Sequence, residues 1–234
     1  MREKDYSRLI AVGDIHGQFD MLQELMGKID PSDRDFFVFI GDYIDRGKKS
    51  REVVDYLINF KKEYRSVFLR GNHEDMLLDL LGLDEEAIYG LYYEGNGGIF
   101  TALSYGDVGS TVADLGHLIP QEHLEFIKDT KIFFETDHYY FAHGGVMPGV
   151  PFGEQKREVL IWIRHQFINY PTGLGKIVVF GHSPQRRVLI TVDKIGIDTG
   201  AGYFKKLSAI DLFTKEIFQV SYRYGGFSEY MFSI

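Results

Sequence analysis

Six side chains able to bind a metal stand at or just beyond the ends of apolar runs in this sequence, each beside a glycine. "RLIAVGDIHG" closes with Asp14 and His16, "DFFVFIGDYIDRG" carries Asp42, and "SVFLRGNHED" carries Asn72, while "YYFAHGG" and "IVVFGH" deliver His143 and His182. Two carboxylates, three imidazoles and an amide carbonyl form a mixed oxygen and nitrogen set. It suits borderline divalent ions such as manganese, iron or zinc better than magnesium or calcium, which prefer all-oxygen shells. Six ligands are too many for one ion that must keep an open position. Two ions sharing a bridging carboxylate use them well, and a pair about 3.5–4 Å apart is the usual clamp for displacement at a phosphate ester. Two such ions outweigh two carboxylates and a hydroxide by about one positive charge, enough to attract a phosphate dianion locally. A lone aspartate after a strand is ordinarily a turn residue; six ligand-type residues at five run ends are hard to obtain from packing alone.

The spacing says what positions them. Asp14 and Asp42 are 28 residues apart, and Asp42 and Asn72 are 30 apart, each interval about one strand–helix–strand repeat. After the run Leu9 to Val12, Leu22, Leu25, Met26 and Ile29 recur at i, i+3, i+4 and i+7, one face of a helix. The run Phe36 to Ile40 leads to a second helix in "SREVVDYLINFKKE", with Ser50 expected as its N-cap and Val54, Leu57, Ile58 and Lys61 along one side. Val67 to Leu69 and a third helix from about His73 to Leu81 complete a pattern that predicts parallel strands. Ligands of open α/β sheets bind at the carboxyl ends of such strands. Residues 84 to about 130 are less regular, and read as a helical, loop-rich insertion in which Pro120 marks a helix entry. From Lys131 the chain turns β-rich, and short turns between the runs predict antiparallel hairpins. The expectation is one domain over residues 1–234.

Composition narrows the partners. With 26 basic and 34 acidic residues the formal net charge is −8, against broad nucleic-acid binding, which needs clustered Lys and Arg. Cysteine is absent, so no thiolate can ligate a metal or attack a substrate. The apolar runs are too short to span a bilayer, and "MREKDYSR" has no signal-peptide core. A cytoplasmic protein without a membrane partner is expected.

Taken together, "GDIHG", "GDYIDRG", "RGNHE", "AHGG" and "GHSP" resemble, in order and spacing, the phosphoprotein phosphatase family of metallophosphoesterases, and most closely its short bacterial and phage members. The resemblance runs from about Leu9 to Leu212. It implies an α/β (α+β) fold, a four-layer αββα sandwich with helices on the outer faces and a dimetal site at the strand C-terminal ends. It implies that Asp14, His16 and Asp42 hold one ion, and that Asp42, as bridge, holds the other with Asn72, His143 and His182. His73 matches a general acid for the leaving alkoxide, Asp45 the carboxylate that orients it, and Arg46 a phosphate clamp. Arg164, in "LIWIRHQF", resembles the second arginine of the bacterial members. The cofactor implied is two divalent ions, manganese foremost, with iron or zinc as alternatives. The activity implied is hydrolysis of phosphoserine and phosphothreonine monoesters, extending to phosphotyrosine, by direct attack of a metal-bridging hydroxide. Phosphoproteins or phosphorylated small molecules would be the partners. Bacterial relatives with the same motifs cleave diadenosine polyphosphates, which is the alternative activity. A catalytically silent binding protein ranks lower, because no ligand and no acid is missing.

The remaining candidates read as structure. His117, His123, His138 and His165 are expected in loops or at the surface, Tyr89, Tyr92 and Tyr93 as packing for the insertion, and Trp162 as a core anchor. Tyr203 is left between overhanging the cleft and packing in the core. Glu74 and Asp75 fall in a helix's first turn, where acids favour the dipole, with Glu74 also placed to support the site by hydrogen bonding.

Overall fold

Successive residues of a strand face opposite ways, and in Arg8–Val12 (β1) both faces are apolar. Ile10 and Val12 join one hydrophobic cluster, Leu9 and Ala11 another. Asp35–Phe39 (β2) repeats the pattern, with Phe37 and Phe39 on one side and Phe36 and Val38 on the other. Strands of this kind need cover on both faces. The computed structural model, which describes residues 3–223, supplies helices on one side and a second sheet on the other.

The helices are Phe19–Ile29 (α1), Ser50–Glu63 (α2) and Asn72–Leu80 (α3), the last two flanking Ser66–Phe68 (β3). α1 buries Leu22, Leu25, Met26 and Ile29, the stripe its periodicity predicts. The segment from 84 to 130 adds Gly98–Tyr105 (α4), Leu115–Leu118 (α5) and Gln121–Lys128 (α6), and its Tyr93, Ala102, Tyr105 and Leu115 pack into the same cluster as α1 and α2. Pro120 is the N-cap of α6.

The later strands are Phe133–Glu135 (β4), Tyr139–Ala142 (β5), Ile177–Phe180 (β6), Leu189–Ile190 (β7), Lys194–Gly196 (β8), Lys206–Asp211 (β9) and Ile217–Ser221 (β10). One sheet runs β10-β9-β1-β2-β3 and the other β4-β5-β6-β8-β7. Leu9, Ala11, Val38 and Ile40 meet Phe141, Val179 and Ile195 between the sheets. Beyond the second sheet, Tyr140, Val178 and Phe180 pack on Leu160 of Arg157–Trp162 (α7) and Phe167 of His165–Ile168 (α8). Three clusters between four layers make this an αββα sandwich.

Two expectations change. β4–β5, β7–β8 and β9–β10 are antiparallel hairpins, but β5, β6 and β8 are parallel to one another. The crossover from β5 to β6 contains α7, α8 and a 3-10 turn at Phe152–Glu154, all too short to show a helical period. Ser50 is the first residue of α2 rather than its cap, which is Lys49; its hydroxyl accepts the Asp45 N–H instead, at 3.0 Å.

Parallel register fixes the geometry that matters. Val12 pairs with Phe39 and Phe39 with Phe68, so the segments carrying Asp14, Asp42 and Asn72 leave the sheet side by side. Among the described residues no helix is long and apolar enough to cross a membrane.

Candidate active site

Beyond these strand ends the backbone bends sharply. Nine non-glycine residues have positive φ among those described, and five of them are His16, Asp42, Asp45, Arg46 and His182, at 50° to 72°. Such conformations cost of order 1–3 kcal/mol each and persist where the surroundings over-determine them. Close approach adds to the bend: a Cβ at Gly71 or Gly181 would collide with a carboxylate oxygen of Asp42 or Asp14.

Glu74 does much of the holding. Its buried carboxylate accepts N–H groups from Asp42 (2.9 Å), Tyr43 (2.7 Å), Ile44 (3.3 Å) and Gly71 (3.0 Å). The turn after β2 and the start of α3 are thus tied to one side chain. Burial, reinforced by the Asp42 charge, pushes the Glu74 carboxyl up to about 7 even against those donors.

All six predicted ligands converge. His16 Nε2 lies 3.3 Å from Asp42 Oδ2, and His143 Nε2 lies 3.4 Å from Asp42 Oδ1. Asn72 Oδ1 is 3.1 Å from His143 Nε2 and 2.7 Å from His182 Nδ1. The His182 N–H donates to Asp14 Oδ2 at 2.9 Å. The far side of each imidazole is anchored on a carbonyl: His16 Nδ1 on Ile44, His143 Nδ1 on Ile40 and His182 Nε2 on Trp162. An imidazole donating one N–H to a carbonyl turns the other nitrogen, as a lone pair, toward the cluster.

Two triads have donor atoms within 4.8 Å of one another, His16–Asp42–His73 and Asp42–His143–His182, and Asp42 belongs to both. The electrostatics call for cations. Burial pushes the Asp14 carboxyl well above the usual range, with Asp198 and Asp42 adding to it, and its Oδ1 is buried without a partner. Burial would raise Asp42 too, but the His143 and His73 imidazoles hold it well below. For His143, burial opposes protonation, yet Asp42, Asp14 and Glu74 raise it to about 9. A buried surplus of negative charge, an orphaned oxygen and imidazole nitrogens turned inward fit a pair of divalent ions sharing Asp42.

His73 differs from the other imidazoles in its partner. Its Nδ1 is 2.7 Å from Asp45 Oδ2 and its Nε2 4.0 Å from Asp42, so the ring is committed to Asp45. Asp45 is itself held, accepting Tyr93 Oη at 2.7 Å and Thr101 Oγ1 at 2.5 Å. The Arg46 guanidinium donates to Nε2 of both His16 (2.9 Å) and His73 (3.0 Å), and since arginine accepts nothing, both nitrogens face it unprotonated. Its far face lies over the Tyr203 ring, 4.8 Å from the centroid. Arg164 reaches the opposite side, donating to the His182 carbonyl at 2.8 Å.

Several functional neighbours escape sequence reasoning. Tyr93 and Thr101 support Asp45 from within the insertion, where nothing in the local pattern marks them. Asp198 is buried beside the cluster, its Oδ1 accepting the Gly200 N–H at 2.8 Å; the only signal was its place in "IDTG" after an apolar run. Tyr203 lies at the cleft and is 52% exposed, not core. Trp162 is half-buried, packed against the first hydrophobic cluster and against Tyr89 and His182, and His123 is buried between Tyr105 and Asp55 rather than at the surface.

Comparison with known proteins shows the family and the fold. The model of the calcineurin-like phosphoesterase family matches residues 7–222. The chain is 30% identical to serine/threonine-protein phosphatase 1 of Salmonella typhimurium, over 88% of this chain and 92% of that one. It is 25% identical to the asymmetrical bis(5'-nucleosyl)-tetraphosphatase PrpE of Halalkalibacterium halodurans, over 85% and 87%. A crystal structure named as a "putative diadenosine tetraphosphatase" superposes with a TM-score of 0.71 at 22% identity, covering 97% of each chain, which speaks for the fold.

Proposed function

From its place in the calcineurin-like phosphoesterase family, to which this chain belongs by the match over residues 7–222, we propose that it is a metal-dependent phosphatase of phosphoserine and phosphothreonine in cytoplasmic proteins. Two divalent ions, manganese foremost, would be held by Asp14, His16, Asp42, Asn72, His143 and His182. Bound there, they supply Lewis acidity and activate water for attack on phosphorus.

The observation that carries the reading is the buried His73–Asp45 pair beside those ligands. A serine alkoxide is nearly as basic as hydroxide and leaves poorly without a proton. A nucleotide leaving through a phosphate oxygen, whose second pKa is about 6, needs no such help. An imidazole whose Nδ1–H is fixed on Asp45 can take up a proton at Nε2 once Arg46 turns from it to the phosphate, and can pass that proton to the leaving oxygen. Tyr93 and Thr101 hold the Asp45 carboxylate in place, so the pair is oriented before substrate arrives. Arg46 and Arg164, one on each side, clamp the non-bridging oxygens, a task suited to planar guanidinium groups that stay charged.

A second reading, hydrolysis of dinucleoside polyphosphates, is favoured by the exposed Tyr203 ring at the cleft edge, a face on which a base can stack. The similarity to PrpE points the same way. Phosphoserine, phosphothreonine and phosphotyrosine peptides assayed beside diadenosine tetraphosphate, all with manganese, separate the two. Efficient peptide turnover is expected. Efficient cleavage of the dinucleotide alone would replace the leading reading with the second.

A further inference from the structure

Resting on the protein-phosphatase reading, we propose that a basic pocket next to the candidate active site binds acidic side chains flanking the phosphorylated residue, making acidic phosphopeptides the preferred substrates.

The pocket has a volume of about 390 Å³ and is lined by Gln185, Arg186, Thr199, Lys205, Lys206 and Ser221. Its walls are the two loops that leave the site. One runs from His182 to Arg186, the other from Asp198 to Lys206, and the Gln185 N–H donates to the Asp198 carbonyl at 2.9 Å, joining them. Thr199, which lines the pocket, directly follows Asp198, whose carboxylate is buried beside the cluster. The second loop also carries Gly202, whose Cα lies against the His16 ring, and Tyr203, beneath Arg46. Lys205 folds back over Gly200, where an added Cβ would sit 3.1 Å from its Cδ. This loop therefore reaches from the pocket to Arg46, within range of a peptide whose phosphate Arg46 would hold.

Charge decides what the pocket takes. Arg186, Lys205 and Lys206 make no ion pair among the described residues. Elsewhere the lysines are typically neutralised, as in Lys49–Asp20, Lys61–Asp129, Lys62–Glu122 and Lys176–Glu135. Three unpaired cations gathered in one pocket, on a chain with a net charge of −8, form a local positive field at the substrate's edge. Such a field favours carboxylates on the approaching peptide and weakens as salt screens it.

The test uses two phosphoserine peptides, one with Asp or Glu at the three positions on either side and one with Ala and Gly there, and p-nitrophenyl phosphate as a substrate too small to reach the pocket. The full chain with manganese should favour the acidic peptide about tenfold in kcat/KM, and the preference should shrink in 0.5 M salt. The double variant Arg186→Ala/Lys205→Ala should reduce the ratio to about twofold or less while p-nitrophenyl phosphate turnover stays unchanged. Equal rates on both peptides in the unmodified protein, or a preference surviving in the variant, would overturn the inference and leave the phosphatase reading intact. Turnover of p-nitrophenyl phosphate and diadenosine tetraphosphate with none of either peptide would overturn both.

Discussion

On the first-sheet side of the cleft, the residues from Asp14 to His73 are backed by a second layer of hydrogen bonds. Glu74 gathers four backbone N–H groups beneath Asp42, and Ser50, Tyr93 and Thr101 surround Asp45. On the second-sheet side, His143 and His182 are each anchored by one ring nitrogen on a carbonyl, and the guanidinium of Arg164, an exposed residue, touches only the carbonyl and Nδ1 of His182 among the described residues. The difference follows from local structure. Four of the five left-handed residues, His16, Asp42, Asp45 and Arg46, lie on the first side, where the turns need outside support. The second side has one, His182, and its ligands stand one or two steps past parallel strands that place them. The proton transfer proposed for His73, which would tolerate little misplacement, falls on the supported side.

The sharpest break of that contrast is His73→Asn. Turnover of a phosphoserine peptide should fall by roughly 10²–10⁴-fold, with a smaller loss on p-nitrophenyl phosphate, whose leaving group needs less protonation. Manganese content measured by elemental analysis should stay near that of the unmodified protein. Loss of metal would make His73 a ligand, as its distance to Asp42 formally allows.

The two arginines come next. Arg46→Ala should cost roughly 10²-fold in kcat/KM, on the scale of losing a preorganised donor, and Arg164→Ala about tenfold, because Arg164 has fewer contacts fixing it. Arg46 also occupies the lone pair of His16 in this structure. Calorimetric titration of Arg46→Ala should therefore show tighter manganese binding alongside the slower turnover. Equal losses at the two positions would remove the asymmetry between the sides.

What was legible in the sequence follows the same division. Asp14, Asp42 and Asn72 could be found because a strand–helix–strand repeat imposes a near-constant interval, and because each stands beside a glycine demanded by backbone crowding. His143 and His182 showed through the same run-then-glycine pattern, although the parallel pairing of their strands did not. The support was hidden. Tyr93 and Thr101 lie 48 and 56 residues from Asp45, and no local periodicity marks a hydroxyl destined for a distant carboxylate. Ser50 misled for a related reason: a serine at a helix start is usually a cap, and here the hydroxyl serves the turn at Asp45 instead.

Glu74→Gln probes the support itself. The amide keeps one acceptor oxygen and turns an NH₂ toward N–H groups that lose their partner. Two unsatisfied buried donors at about 1–3 kcal/mol each should lower stability by roughly 2–6 kcal/mol, a drop in Tm of about 4–24 °C for a chain of this size. The variant should also lose a pH dependence. In metal-free protein the folded-state value of about 7 lies above the ordinary 4.5, so the folded state retains a proton that the unfolded state has lost. That contribution is fully present below 4.5 and is lost as pH rises toward 7. Thermal melts across that window should slope downward in the unmodified protein, and this part of the slope should vanish in Glu74→Gln.

The smallest effect distinguishes supporting the acid from being the acid. Tyr93→Phe removes one of three groups that hold the Asp45 carboxylate and leaves Thr101 and His73 in place. Turnover of phosphoserine should fall only a few-fold, and p-nitrophenyl phosphate should be almost unaffected, because what suffers is the aim of a proton that substrate barely needs. Thr101→Val should do more, since Thr101 Oγ1 both donates to Asp45 Oδ1 and accepts the Asp45 N–H at 3.0 Å. The expected order in leaving-group sensitivity is therefore His73→Asn, then Thr101→Val, then Tyr93→Phe. Should Tyr93→Phe match His73→Asn on phosphoserine, the phenol itself would be part of the proton path, and Asp45 would no longer suffice to explain how His73 is held.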